Sequence, residues 1–376
     1  MKLFFFIAFV VVLLYVLLII SYIWGWFLNI KKNKFFSGID VSYPAKNIIA
    51  SVLVSCRNEE ENLPNLLTLL LSQNFDANYE VIVINDHSTD KTESILIDFA
   101  KKNEHLKFFS LKTAQGKKQA IALGIEKASA DFIVVTDADC TMGTSWLSGH
   151  YVAYQQSKAQ LISAPVLLKG TTFFGKLQEL EFLSLIASGA GSIGINRGIM
   201  CNGANLAFTK HLAKNQDSMK FSEISGDDVF LLQTAKKQYP KKVIFVPLLE
   251  LAVTTPAEKT FAGFMNQRMR WASKSASYTD SDMILASWLV FFANLLVLFF
   301  FVLSVFFYEY WLSFSLLFVL KFSIDFLFLA IVATYFHKKS LLGYFFVLSA
   351  VYPFYIVWVA ILSQWVGFSW KKRHYK

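Results

Sequence analysis

The chain has 376 residues, 55% of them hydrophobic and 16% aromatic, with 38 Phe, which is more apolar than a soluble globular protein of this length. Much of the formal charge of +9 lies in short runs beside apolar segments (Lys31, Lys32 and Lys34; Lys338 and Lys339; Lys371, Lys372 and Arg373), a pattern of membrane topology and anionic-lipid contact. No basic stripe with interleaved aromatics occurs in the globular part, which argues against nucleic acid as a partner, and Cys56, Cys140 and Cys201 are too far apart for a zinc site or a disulfide scaffold.

Residues 3–28 are almost continuously apolar, longer than the ~20 residues that span a bilayer. The run ends in Tyr22, Trp24 and Trp26, then Lys31-Lys32-Asn33-Lys34, and it lacks a small-residue cleavage site. This predicts an uncleaved anchor over residues 1–30 with its C-terminal end in the cytoplasm. Residues 47–140 then alternate strand and helix patterns. Strands are expected at 48–55, 80–84, 106–110 and 131–136, and helices at 60–72, 90–101 and 116–128. Such alternation implies right-handed crossovers and a mainly parallel sheet, whose ligands bind beyond the carboxyl ends of the strands. Glu59, Asp86, Asp137 and Asp139 all fall just after strands and so converge on one edge.

Residues 173–187 form a broad apolar face beside Lys176, Glu179 and Glu181, too polar to span; a core helix and an interfacial helix both fit. Apolar runs over 284–307 and 311–336 are two spans, the second carrying Lys321 and Asp325 at a spacing that lets them pair. The run 341–365 is interrupted by Pro353 and is either a third span or a re-entrant hairpin; the basic tail favours the hairpin, which keeps it inside. The expected organisation is an anchor (1–30), a cytoplasmic α/β domain with interfacial helices (31–280), a C-terminal membrane region (281–370) and a basic tail (371–376).

The pair Asp137 and Asp139, after the apolar strand Phe132–Val135, suits a hard divalent cation, although acidic pairs after strands also serve as turn residues. Asp86 could accept hydrogen bonds from a nucleoside or cap the following turn. Lys117, at a helix start, could reach a phosphate or simply be solvated. Of Asp227 and Asp228, one could cap the helix and the other is free to act as a general base. Gln267-Arg268-Met269-Arg270-Trp271 combines an amide, guanidinium groups suited to a diphosphate and an indole suited to a sugar face, or forms an interfacial anchor.

Together these segments resemble the membrane-bound family-2 glycosyltransferases over roughly residues 47–275. Ser55-Cys56-Arg57-Asn58-Glu59-Glu60 is similar to the family's N-E-E element, and Asn85-Asp86-His87-Ser88-Thr89-Asp90 to its D-D-x-S-x-D element. Gly116-Lys117 with Ala120 and Leu123, then Asp137-Ala138-Asp139, Gly203-Ala204-Asn205-Leu206, Asp227-Asp228 and Gln267-x-x-Arg270-Trp271 follow in the family's order. Trp370-Lys371-Lys372-Arg373-His374-Tyr375 is similar to the W-K-x-R-x-Y ending of some bacterial members. Asn85 and Asp227 depart from the usual aspartate and glutamate.

The resemblance implies a GT-A (nucleotide-diphospho-sugar transferase) α/β domain, flanked by N- and C-terminal transmembrane helices. It implies an inverting, hexosyltransferase-like enzyme of the cell envelope, with a nucleotide-sugar donor, by default a UDP-sugar. By the same resemblance Glu59, Asp86, Lys117, Asp137 and Arg270 bind the nucleotide sugar. Asp139 and Asp137 hold Mg²⁺ or Mn²⁺, Asp228 is the catalytic base, and Asn205, Asp227, Gln267 and Trp271 meet the acceptor. One span before the domain and two or three after it are few for a polymer channel, which favours a lipid or lipid-linked acceptor. A processive polysaccharide synthase and an inactive membrane scaffold of the same fold are the alternatives.

Overall fold

A computed structural model describes residues 2–33, 47–113, 115–214, 227–363, 365, 367–370 and 373–375. After α1 (Lys2–Asn33) come β1 (Ala50–Cys56), α2 (Leu63–Leu71), β2 (Tyr79–Asn85), α3 (Thr92–Ala100), β3 (Leu106–Ser110) and α4 (Lys117–Lys127). β4 (Phe132–Asp137), β5 (Thr141–Met142), α5 (Trp146–Ser157), β6 (Leu161–Ser163), β7 (Val166–Lys169), α6 (Phe173–Gly194), β8 (Asn205–Thr209), α7 (Lys210–Lys214) and α8 (Asp227–Gln238) follow. The chain ends with β9 (Val243–Phe245), β10 (Val253–Pro256), α9 (Phe261–Ala272), α10 (Ser281–Phe306), α11 (Trp311–Tyr335), α12 (Phe345–Leu362), β11 (Phe368–Trp370) and β12 (Arg373–Tyr375). These elements form two compact units, one of residues 27–167 and 196–256, the other of residues 1–26, 168–195 and 257–376.

The first unit is built on a seven-stranded sheet in the order β3-β2-β1-β4-β8-β6-β9. β1, β2, β3 and β4 are parallel; β8 runs antiparallel to β4 and β6; β6 and β9 are parallel. The central strands are nearly continuous β-branched runs, and Val52, Leu53, Val81, Ile82, Ile133 and Val134 are buried, as strands covered on both faces require. α2 buries Leu63, Leu66, Leu67 and Leu70, with Pro64 in its first turn, where a missing N–H costs nothing. In the register Cys56 lies beside Asn85 and Ser55 beside Asp137, so the chain leaves β1, β2 and β4 at one level of the sheet. That common level brings the loops of the expected site to one edge.

Among the described residues four helical segments are long and apolar enough to cross a membrane, 2–32, 281–306, 308–335 and 339–362, and all but the end of the first belong to the second unit. Their length and composition are those of an integral membrane protein. Ala8 and Val12 of α1 pack with Val297 and Phe300 of α10 and Leu317 of α11. Lys321 and Asp325 pair at 2.6 Å as their spacing predicts, and Tyr15 Oη donates to the same carboxylate at 2.6 Å, which lowers the cost of charge among apolar helices.

Two expectations are settled by packing. α6 extends through Ala187–Gly194, and a Cβ at Gly191 would lie 2.4 Å from Tyr22 O of α1, so only glycine admits this backbone approach. Gln178, Glu179 and Glu181 of the same helix are buried, so α6 is a core helix. The favoured hairpin at Pro353 is not formed, because α12 is one helix with Pro353 inside it. An apolar setting preserves the remaining helical hydrogen bonds, since no water is available to replace them.

Candidate active site

The loops after β1 and β2 are zipped together. Arg57 Nη1 donates to Asp86 O (2.8 Å) and His87 O (3.0 Å), Asn58 N to Ser88 Oγ (3.0 Å), and Thr89 N to Asn58 Oδ1 (2.8 Å). Glu59 N donates to Thr92 Oγ1 at 2.8 Å, and Glu59 Oε2 accepts from Asn62 Nδ2 at 2.9 Å. Asn58 and His87 hold left-handed backbones (φ 52° and 55°), which these contacts over-determine. Asn85, the departure from the family pattern, accepts from Ser88 N at 3.1 Å and so closes the turn before α3. Asp86 is 2% exposed; Oδ2 accepts from Gly116 N at 3.0 Å and Oδ1 lies 3.1 Å from His87 Nδ1. Gly116 has φ 99°, a conformation that suits glycine, and its tie to Asp86 fixes the start of α4.

That start carries Lys117, whose ammonium forms an ion pair with Asp137 Oδ1. Lys117 is therefore an internal counter-ion. Asp139 is mostly buried, and its Oδ2 accepts from Thr255 Oγ1 of β10 at 3.1 Å. Burial, followed by the charges of Asp137 and Glu59, pushes the Asp139 carboxyl up to about 6. This excess of negative charge fits a divalent cation. Among the described residues no three His, Cys, Asp or Glu side chains form a metal cage.

Asp228, in the first turn of α8, accepts from Gly203 N at Oδ2 (3.1 Å) and from Val229 N at Oδ1 (2.8 Å). A Cβ on Gly203 would meet Asp228 Oδ2 at 3.6 Å and Lys117 Nζ at 3.7 Å, so the carboxylate and the ammonium flank one glycine. Glu59, Asp86, Lys117, Asp137, Asp139 and Asp228 thus belong to one unit. Asp227 opens α8, but its side chain lies outside the described residues, as do Ser225, Gly226, Lys371 and Lys372.

Asn205 departs from its expected role. It is fully buried, with Oδ1 accepting from Trp146 Nε1 and His150 Nε2 (both 2.9 Å) and Nδ2 donating to Pro165 O (2.8 Å) and Leu251 O (2.6 Å). Its hydrogen-bonding groups are all used inside the fold, so the side chain is a packing node and presents nothing to an acceptor. Thr255, Trp146 and His150 lie in none of the motifs, so the sequence carries no local signal for them.

The Gln267, Arg270 and Trp271 side chains belong to the other unit, on α9. Thr260 caps this helix by accepting from Gly263 N at 3.1 Å. Gln267 Nε2 donates to Glu258 Oε1 at 3.4 Å, and Trp271 lies 5.8 Å from the Phe182 ring of α6. Arg270 stands one position before Trp271 in the last turn.

The Glycosyl transferase family 2 profile matches residues 51–209, from β1 to the end of β8. Residues 51–209 form a family-2 glycosyltransferase domain. Two poly-beta-1,6-N-acetyl-D-glucosamine synthases are similar to it. That of Staphylococcus epidermidis is 28% identical over 237 residues, covering 59% of this chain and 53% of its own. That of Staphylococcus aureus strain COL is 24% identical over 230 residues, covering 58% and 53%. The chain therefore spans about half the length of these curated relatives. A Pyrobaculum calidifontis mannosyltransferase, solved with GDP-Man and Mn²⁺, shares the fold with a TM-score of 0.51 and 14% identity, over 92% of this chain and 99% of its own. The domain thus has the expected GT-A-type α/β architecture, in a chain with four candidate transmembrane helices among the described residues.

Proposed function

We propose that this glycosyltransferase moves a sugar, with inversion, from a UDP-sugar to a lipid or lipid-linked hydroxyl at the cytoplasmic membrane surface. The observation that carries the proposal is the grouping of Asp137, Asp139, Lys117 and Asp228 in one unit, with Lys117 paired to Asp137 and flanking the same glycine as Asp228. Glu59 and Asp86 line the nucleoside side. Asp139 with Asp137 would hold Mg²⁺ or Mn²⁺, which when bound supplies neutralising charge for a leaving diphosphate. Lys117 adds fixed positive charge for the same oxygens. Asp228 takes the proton of the acceptor hydroxyl as its oxygen attacks the anomeric carbon opposite the diphosphate; the C–O bond to the nucleotide breaks and the nucleoside diphosphate leaves. Asp227, Gln267 and Trp271 contribute to the acceptor side. Lys31 and Lys32 at the end of α1 support a cytoplasmic domain.

A processive polysaccharide synthase is the second reading, favoured by the activity named for the two staphylococcal relatives. Nucleoside diphosphate release by the detergent-purified protein, with Mg²⁺ or Mn²⁺, is the deciding measurement. Donors should include UDP-GlcNAc, UDP-Glc, UDP-Gal and GDP-Man, with and without membrane lipid extract. Lipid-stimulated release that Asp228→Asn abolishes, with labelled sugar in an organic-extractable product, is expected. A long water-soluble polymer would replace the first reading by the second. Donor binding without release would leave an inactive scaffold.

A further inference from the structure

Arg268 occupies a position that the Q-x-x-R-W pattern leaves open, yet it touches two of the motif's three side chains. Its guanidinium carbon lies 4.3 Å from the centroid of the Trp271 ring and 4.6 Å from that of Phe264. Nη1 donates to Gln267 Oε1. Nε donates to Glu181 Oε1 of α6 at 3.2 Å and Nη2 pairs with Oε2, a two-point fork on one carboxylate. Tyr355 Oη of α12 reaches the same Glu181 Oε1 at 3.5 Å. Arg268 is 3% exposed and Glu181 is equally buried.

α6 also clasps the segment before α9. Gln178 Nε2 donates to Glu258 O (2.9 Å), and Glu258 N donates to Gln178 Oε1 (3.0 Å). The Gln267 amide is therefore directed from both ends, its oxygen by Arg268 and its nitrogen by Glu258. A buried ion pair is a weak way to stabilise helix packing, because apolar residues of similar volume serve as well or better. What they cannot do is donate to the Gln267 oxygen while holding a planar cation against the Trp271 indole.

We propose that Arg268, anchored by Glu181, is a positioning residue that sets the orientation of Gln267 and Trp271. Its kinetic consequence rests on the transferase reading above; its structural consequence does not. Arg268 acts through its neighbours, not on the reacting atoms, so the effect falls on acceptor use and leaves donor binding intact.

The test combines fluorine spectroscopy with kinetics on the full chain in detergent. 5-Fluorotryptophan is incorporated, and the Trp271 resonance is assigned by Trp271→Phe. In Arg268→Met the Trp271 resonance should shift and broaden while the remaining tryptophan resonances stay. The kcat/KM measured against membrane lipid extract should fall at least about tenfold, as misoriented groups predict, with the donor KM within about twofold of wild type. Arg268→Lys keeps the charge opposite Glu181 and should recover thermal stability, but neither the resonance nor kcat/KM. Should Arg268→Met fail to fold, Arg268→Lys carries the same two readouts. An unmoved Trp271 resonance, or full recovery of both readouts by lysine, overturns the proposal. If wild type transfers from no donor, the transferase reading fails and the fluorine resonance still decides the positioning role.

Discussion

Replacing Asn205 with alanine separates a packing role from an acceptor-binding one. The substitution removes one oxygen that receives Trp146 Nε1 and His150 Nε2 and one nitrogen that serves Pro165 O and Leu251 O. Two buried donors and the Leu251 carbonyl lose their partner together, while Pro165 O keeps a donor in Val253 N. Each orphaned group costs about 1–3 kcal/mol, and taking the low end for all of them gives about 3 kcal/mol. That is a large share of the roughly 5–15 kcal/mol that holds a domain folded. In a domain of this size each kcal/mol lowers the melting temperature by about 2–4 °C, so a fall of about 6–12 °C is expected. Thermal unfolding of the detergent-solubilised protein, followed by tryptophan fluorescence, measures it. A melting temperature within about 2 °C of wild type, accompanied by a selective rise in half-saturating lipid extract, would refute the packing assignment.

His150 gives a pH signature at the same node. Burial pushes its pKa down to about 4, with the Asn205 hydrogen bond pulling weakly upward, against about 6.5 when unfolded. The unfolded chain binds the proton first, so stability present above pH 6.5 declines by up to about 3 kcal/mol as pH falls toward 4; His150→Phe should flatten that segment of a pH–stability profile, and an unchanged slope would contradict the account. Lys117→Gln removes the counter-ion of Asp137 and should tighten Mn²⁺ binding to the donor-free protein by about tenfold, the scale of a unit charge acting on a dication through a water-like dielectric. Paramagnetic-resonance titration reads this directly, and an unchanged affinity would dissociate Asp137 from the cation. A fragment of residues 31–280 should aggregate or stay with membranes, since it lacks Lys338 and Tyr355, which partner the buried acids of α6; a soluble monomer with a cooperative melt would show those groups to be dispensable.

The parallel half of the sheet was legible because its strands are buried on both faces and therefore read as unbroken β-branched runs between leucine-spaced helices. The β3 range, Leu106–Ser110, matches the sequence expectation residue for residue. The short strands β6, β8 and β9 carry no such signal, since three to five residues hold too little periodicity and their pairing is long-range. α6 was read to residue 187 because Ser-Gly-Ala-Gly-Ser-Ile-Gly is a poor helix former; close packing on Tyr22 and Gly25 of α1 offsets that propensity. The acidic residues of the site could be listed from motifs, but not their partners. The Lys117–Asp137 pair, the Thr255 contact to Asp139 and the enclosure of Asn205 all join residues remote in sequence.

The apolar helices do more than tether the chain. Glu179 and Glu181 are buried in α6; Glu179 pairs with Lys176 of the same helix and with Lys338, and Glu181 pairs with Arg268 of α9. Burial works to raise the Glu179 carboxyl, but Lys176 and Lys338 outweigh it and hold the group below the usual range. Lys338 comes from the turn after α11, and Tyr355, which reaches Glu181, comes from α12. Burying these carboxylates without partners is costly, so α6 draws on Arg268 of α9 for Glu181 and, beside its own Lys176, on Lys338, 159 residues away in sequence, for Glu179. α6 in turn holds α9 through the Gln178 clasp and the Glu181–Arg268 fork. The segment carrying Gln267, Arg270 and Trp271 is therefore folded by the membrane-spanning unit itself.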